Sequence, residues 1–387
     1  MTTSFGLMLF LSVILVAASC REGTGPGTPE DFILWSVPSG SPTDGTPHDP
    51  AANADRSMVY FVAPDYRLKK IDGMNGQVVW ESQAGSVSAT FPQWNAVLSG
   101  HVVAIAKVDV LAFDTTTGLP RWTYVAPDGE ATGYSPLVAN DSTVFAAGRT
   151  ARIHAIDASA GSARWVADLR ESQPDIGALN PTYYDNILYV CTLNFLTLPS
   201  RGTLWALDAQ TGSVKWTFRF QPELPTQGSA CYGSAAIWQD LVIQPQEDGR
   251  VLAFDRRTGV LRWTAPRVHD VSQSLGDRRW AAVGGNHLLV TSQANRGMIV
   301  AYDPATGAER WRDTQHGGSL YPPVLDESTA YVDHGWIFAS YDLMSGKVRW
   351  QTPQSVREPA TVFKGRPIIV SDRIYVAGRN GSYGLRR

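Results

Sequence analysis

Short runs of alternating apolar residues recur along the chain, and each one stops at an aspartate. Gly202-Thr-Leu-Trp-Ala-Leu-Asp208, Val251-Leu-Ala-Phe-Asp255 and Ile299-Val-Ala-Tyr-Asp303 are examples. Four residues after each Asp stands a Gly, and four after that a Trp. The copies are Asp72/Gly76/Trp80, Asp114/Gly118/Trp122, Asp157/Gly161/Trp165, Asp208/Gly212/Trp216, Asp255/Gly259/Trp263, Asp303/Gly307/Trp311 and Asp342/Gly346/Trp350. An alternating run, a turn residue pair and a second short run predict strand, tight turn, strand. The Asp carboxylate can accept hydrogen bonds from turn N–H groups, and Gly supplies the positive φ of a bulged hairpin. Each copy therefore predicts a β-hairpin whose Asp is a turn residue.

Successive tryptophans lie 39 to 51 residues apart, room for four strands and their loops. That period marks propeller blades, which bury their faces only by stacking radially. The outer-strand Trp is expected to wedge between neighbouring blades as a core residue. The stretch from Pro367 to Leu385 begins an eighth unit and stops short of its Trp, whereas Phe32-Ile-Leu-Trp35-Ser-Val37 reads as an outer strand with no hairpin before it. Trp35 precedes Trp80 by 45 residues, in register with the repeat. The expected fold is all-β: an eight-bladed β-propeller of four-stranded antiparallel blades, closed by N- and C-terminal strands sharing one blade and leaving no open edge.

Composition adds little to this picture. The chain is 43% hydrophobic and 18% charged with a net charge of -3, which suits one large β domain and gives no basic face for nucleic acid. The N-terminus is more informative. Phe5 to Ala18 is an apolar run too short to span a bilayer comfortably, and it ends at Ala17-Ala18-Ser19-Cys20. Residues 1–19 read as a secretory signal peptide, Cys20 as a lipidated first mature residue, 20–30 as a flexible tether and 31–387 as the propeller. The Ala-Ala-Ser-Cys stretch resembles a bacterial lipobox, and Arg21 follows the Cys where an inner-membrane retention signal would have Asp. By analogy with such lipoproteins, the expected location is the periplasmic face of the outer membrane, lipid-anchored.

Leu204-Trp-Ala-Leu-Asp208-Ala-Gln-Thr211-Gly212-Ser-Val-Lys-Trp216 resembles the tryptophan-docking signature of the pyrroloquinoline quinone (PQQ)-type β-propeller repeat family. The resemblance runs from about residue 31 to the end. The family includes PQQ-dependent dehydrogenases as well as non-catalytic lipoproteins of the BamB type, so it implies fold more strongly than activity. The organisation is closest to the BamB type. That implies a monomeric protein-binding scaffold assisting β-barrel assembly, with the periplasmic domains of an outer-membrane assembly protein as partner.

A dehydrogenase of this family needs a stacking platform for the quinone, Ca²⁺ on hard oxygen ligands and a carboxylate base. Such enzymes also carry an adjacent Cys-Cys pair, and some a Cys-x-x-Cys-His haem motif. Neither occurs among Cys20, Cys191 and Cys231. The seven histidines, from His48 to His334, never fall at metal-ligand spacing. No cofactor is expected, PQQ with Ca²⁺ being the alternative, and a carbohydrate- or ligand-binding propeller is a third reading. Cys191 and Cys231 can form an inter-blade disulfide or remain two buried thiols.

In a propeller the loops from each outer strand to the next inner strand share one face with the hairpins between second and third strands. The Asp-x-x-x-Gly turns occupy the other. The loop-bearing face is the one expected to bind partners. It takes residues 39–55, which show every turn signal and no strand pattern. It also takes Asp168-Leu169-Arg170-Glu171, where a protruding Leu169 beside Arg170 forms an expected anchor pair. Phe195 and Leu196, in the lengthened hairpin from Leu193 to Gly202, are expected to add an apolar contact surface.

Overall fold

The computed structural model describes residues 33–38 and 49–387, apart from 54, 56, 64–66, 85–94, 107, 128, 131, 133–134, 171–176, 195–198, 223–227, 266–278, 293–297, 317–320, 335–336, 353–365 and 379–380. Every regular element among them is a strand. The strands form eight four-stranded antiparallel sheets, each ordered first, second, third, fourth from inside to outside. The innermost strands are Ala51–Ala52 in blade 1, Ala96–Ser99 in blade 2, Val138–Ala139 in blade 3 and Ala178–Tyr184 in blade 4. Those of blades 5 to 8 are Ala236–Trp238, Arg279–Gly284, Val324–Leu325 and Ile368–Val370. The pair Ala51–Ala52 corrects the expectation that 39–55 is loop throughout: two small residues beside Tyr60 and Val59 suffice for an inner strand.

Blade 8 closes the ring as the sequence predicts. Ile33–Pro38 is its outer strand and pairs with Gly381–Arg386, Trp35 lying opposite Gly384. Joining the two ends of the chain in one sheet leaves no unpaired seam between first and last blades.

The repeated hairpin explains how each blade grips the next. Asp208 Oδ1 accepts the N–H groups of Gln210 and Thr211 at 3.0 and 3.1 Å, and Gly212 N–H donates to the Asp208 carbonyl at 2.8 Å. The tryptophan of the preceding blade docks on this turn. Trp35, Trp80, Trp122, Trp165, Trp216, Trp263 and Trp311 each donate Nε1–H to the carbonyl one residue after the Asp, at 2.8 to 3.2 Å.

The seven repeat glycines, Gly76, Gly118, Gly161, Gly212, Gly259, Gly307 and Gly346, have φ between 69° and 77°. Each lies directly beneath one of these rings: Gly118 under Trp80, Gly259 under Trp216, Gly307 under Trp263 and Gly346 under Trp311. They seat tryptophans and sit on the face away from the inter-blade loops. At Gly161 the backbone has φ 69° and a Cβ would stand 2.5 Å from the Trp122 ring, so turn geometry and docking independently require glycine. Trp35 and Trp216 are buried, and the other six docking-position tryptophans, Trp350 included, are half-buried.

Second and third strands carry the core. Val102–Ala106 and Thr143–Ala147 are buried at every position, because both faces of a middle strand meet an adjacent blade. Outer strands alternate from the Trp onward: in Ala163–Asp168, Trp165 and Ala167 are half-buried while Arg164, Val166 and Asp168 are exposed.

A candidate binding face opposite the docking turns

Loops leaving the outer strands and hairpins joining second to third strands share the face opposite the docking turns. They are held by buried polar clamps rather than by a repeated motif. Between blades 2 and 3, the buried Glu130 follows outer strand Pro120–Tyr124 and reaches the next blade's hairpin. It accepts Thr150 N–H at 2.6 Å and Thr150 Oγ1–H at 2.5 Å, and faces His154 Nε2 at 3.4 Å and Arg152 at 3.8 Å. Tyr124 Oη meets the other ring nitrogen of His154 at 3.0 Å. Burial alone would raise the Glu130 carboxyl, but the bonds from His154 and Thr150 hold it below its ordinary value. The clamp fixes a hairpin in which Ala151 has φ 58°, a left-handed conformation that a side chain adopts at a cost.

A second clamp joins blades 4 and 5. Buried Glu247 accepts from Ser200 Oγ and, at 3.3 Å, from Ala230 N–H. Its neighbour Asp248 accepts Arg250 Nε at 2.8 Å. Here too the structure joins Cys191, in strand Ile187–Asn194, to Cys231 in a disulfide, with Cα atoms 6.1 Å apart. The inter-blade alternative therefore holds. Between blades 6 and 7, Asp313 Oδ2 meets His316 Nδ1 at 2.6 Å and accepts from Tyr341 Oη at 3.0 Å, and Tyr341 Oη also meets His334 Nε2 at 2.9 Å. Burial and the neighbouring Asp313 charge both push the Tyr341 hydroxyl well above its usual range.

Nearer the axis, side chains stitch the inner strands together. Arg366 N–H donates to Asp49 Oδ1 at 2.6 Å, joining the last blade to the first. Asn95 accepts Leu137 N–H and donates to its carbonyl at 2.7 and 2.8 Å. Asn180 N–H donates to Ser135 Oγ at 2.5 Å, and its side-chain amide reaches the Tyr232 carbonyl. Burial raises the Asp49 carboxyl despite the Arg366 N–H and charge.

Leu169, expected to protrude beside Arg170 as an anchor, is instead turned into the core. Leu169 is 2% exposed and packs with Phe145, Ile153 and Leu188, while its N–H donates to the Ala151 carbonyl. Its position continues the strand alternation for one more residue, which turns it inward. Arg170 is exposed and paired with Asp168 in a two-pronged ion pair. Phe195, Leu196 and Cys20 lie outside the described residues.

Among the described residues, exposed large apolar side chains on this face come from blade 2. Val108, between strands Val102–Ala106 and Val110–Asp114, is 49% exposed, and Val125, just past the outer strand, is 60% exposed. They flank the Glu130 clamp, whose loop returns to Val108 through Thr132 N–H at 2.9 Å. Arg149 and Thr150 project from the neighbouring hairpin. Two valines in otherwise irregular loops carry no periodic signal, so sequence patterning passes over them.

Among the described residues, no group of three or more His, Cys, Asp or Glu side chains is placed to hold a metal. The disulfide bridges residues 40 apart rather than adjacent ones, and Asp49 is committed to Arg366.

Comparison with known proteins places the fold in context. A family profile described as outer membrane protein assembly factor BamB matches residues 31–135, 106–277 and 267–386, nearly the whole ring. The chain belongs to this PQQ-repeat propeller family. The crystal structure of BamB from Moraxella catarrhalis is similar over 92% of this chain and 99% of that one, with a TM-score of 0.69 at 14% identity. Among curated proteins, the quinohemoprotein alcohol dehydrogenase of Comamonas testosteroni is 26% identical over 275 residues. That match covers 68% of this chain and 36% of the dehydrogenase. Polyvinylalcohol dehydrogenase of a Sphingopyxis strain is 27% identical over 331 residues, covering 62% of this chain and 49% of that protein. In sequence the chain thus spans less than half the length of either dehydrogenase. The crystal structure of the Comamonas testosteroni enzyme is similar over 92% of this chain and 76% of that one, with a TM-score of 0.65 at 14% identity.

Proposed function

We propose that the protein is an exported, N-terminally tethered binding scaffold of the BamB type, which presents the face opposite its docking turns to a partner in outer-membrane β-barrel assembly. The observation that favours this reading is the span of the structural likeness. A BamB structure is covered over 99% of its length and two quinohemoprotein alcohol dehydrogenase structures over 76% of theirs, the remainder of those enzymes having no counterpart in the ring. The clamp-braced corner formed by blades 2 and 3 is the proposed contact. Val108 and Val125 supply apolar area, and Arg149 and Arg170 supply a charged rim, the composition of a protein-binding patch. The clamps matter because a prefixed surface loses little conformational entropy on binding.

The test is cross-linking in the native host with a Val108→Glu/Val125→Glu variant. Both side chains are exposed, so the ring should fold unchanged. Loss of a cross-link to an outer-membrane assembly protein supports the reading, and an undiminished one removes this corner from it. The family's other activity is checked by titrating the purified protein with PQQ and Ca²⁺. Saturable binding accompanied by alcohol-dependent dye reduction would replace the scaffold reading with a dehydrogenase.

A further inference from the structure

The docking turns carry a second regularity, at the residue just before each Trp. In six blades it is a cation that reaches back seven positions to the turn aspartate. Arg121 pairs with Asp114 at 3.2 Å, Arg164 with Asp157 at 2.8 Å and Lys215 with Asp208 at 3.2 Å. Arg262 pairs with Asp255, Arg310 with Asp303 and Arg349 with Asp342, each at 2.7 Å. Blades 8 and 1 break the rule side by side. Their equivalent positions hold Leu34 and Val79, 37% and 51% exposed. Val78 at 42% and Met74 at 64% extend the apolar surface on blade 1.

These residues adjoin one another across the seam. Trp35, next to Leu34, docks on Gly76, and Arg373 of blade 8 donates to the Met74 carbonyl at 2.7 Å. Leu34 lines an open groove of about 950 Å³ together with Arg349, Arg373, Arg386 and Arg387. Three of these arginines are committed, Arg349 to Asp342, Arg373 to the Met74 carbonyl and Arg387 to Asp326 at 2.6 Å, and Asp372 also borders the groove. The groove occupies the place where other blades have a docking turn, because in blade 8 the chain does not run from third strand to fourth. It is also where the N-terminal part of the chain, with its apolar run from Phe5 to Ala18, joins the ring at Ile33.

We infer that this apolar break in the cation ring, Leu34, Met74, Val78 and Val79, rests on a phospholipid surface. Three observations select that occupant. The segment joining the apolar run to Ile33 holds this edge of the ring within reach of whatever surface that run engages. Arg386, exposed in the groove beside Leu34, can extend toward a headgroup phosphate while its stem covers apolar area. Elsewhere on the rim, exposed apolar residues such as Val260 and Leu261 stand beside an intact cation pair, so exposure alone does not distinguish the seam. Contact here would turn the opposite face, with its proposed partner corner, away from the bilayer. The inference stands or falls separately from that partner.

The test is co-sedimentation of the chain from Arg21 onward, which retains every strand of the ring, with vesicles of phosphatidylcholine alone or mixed with phosphatidylglycerol. Without the N-terminal run, binding reports the ring itself. Binding should be stronger to the mixed vesicles, and Leu34→Thr/Met74→Ser/Val79→Thr should lower partitioning about tenfold. Val260→Thr/Leu261→Thr, equally exposed across the ring, should leave it unchanged. Unaltered melting curves would show that both variants fold. Absence of vesicle binding overturns the inference, as does equal partitioning of the triple variant and the unmodified chain. A self-association that the triple variant abolishes, without vesicle binding, would assign the patch to a second copy instead.

Discussion

The two faces of this ring are built by different rules. On the docking-turn side, one nine-residue device is used seven times, and each use fixes a hairpin, a glycine and the tryptophan of its neighbour. On the opposite side the described residues share no such device: Glu130 holds one hairpin, Glu247 and a disulfide brace another, and Asp313 joins Tyr341 to His316. The repeated face determines that blades stack. The irregular one is free to differ from blade to blade, which is what recognition of a partner needs. The contrast also locates its own exception, because the repeated face fails at the seam, where it turns apolar.

The contrast can be tested by disturbing each side in turn. The largest effect is expected from Gly161→Val, which forces a β-branched residue to φ 69° and pushes against Trp122. A loss of about 4 kcal/mol in urea unfolding is expected, from backbone strain and lost packing together. A loss under about 1 kcal/mol would mean that docking tolerates displacement. Next is Cys231→Ser, which opens a link between residues 40 apart and should cost about 3 kcal/mol.

Glu130→Ala should cost about 2 kcal/mol, since Thr150 N–H and the His154 ring lose their buried acceptor. The same variant should loosen the 147–152 hairpin, seen as faster amide exchange at Thr150. Exchange unchanged there would show that the hairpin holds itself. Acid should act on the other face. Arg262 and the turn hydroxyl and N–H groups lower Asp255 to about 2, and Asp114, Asp157, Asp208, Asp303 and Asp342 are lowered too. Groups with depressed folded pKa values contribute stability that is present above the unfolded value near 4 and is lost as pH falls toward about 2. A melting temperature flat from pH 5 to about pH 2 would contradict that. The smallest effect is expected from Val79→Arg. It completes the cation rule beside Asp72 and should shift stability by no more than about 0.5 kcal/mol, because the pair is exposed to solvent.

Much of this was legible beforehand, and the residues show why. The turn needs only local information: Asp208 bonds to its own hairpin, Gly212 meets a backbone requirement, and Trp216 lies eight positions from its Asp. The same holds at Gly118, Gly259, Gly307 and Gly346, whose left-handed backbone follows from the turn alone. What the spacing does not say is that each also lies against a ring from another blade. The shared terminal blade was legible as well, because Trp35 keeps the repeat's register. Leu169 was misjudged because a residue one step past a strand can face either way, and the bond from its N–H to Ala151 decides. Glu130 gave no signal, since one acidic residue in a loop resembles any solvated one. The cation before each Trp was in plain view as Arg, Lys or an apolar residue, yet its sense depends on knowing that it reaches back to the turn.

The sequence by itself determined the number of blades, the turn that starts each outer strand and the tryptophan that links neighbours, because these rest on contacts between residues at fixed short spacing or on a period that the chain repeats. Tertiary structure alone decided which loop residues are buried, which blades the cysteines join and where the rim becomes apolar. Those outcomes depend on residues far apart in the chain meeting across blade boundaries, as Glu130 meets Thr150, 20 positions away, and Arg373 meets Met74, 299 positions away. No spacing along the chain encodes such a meeting.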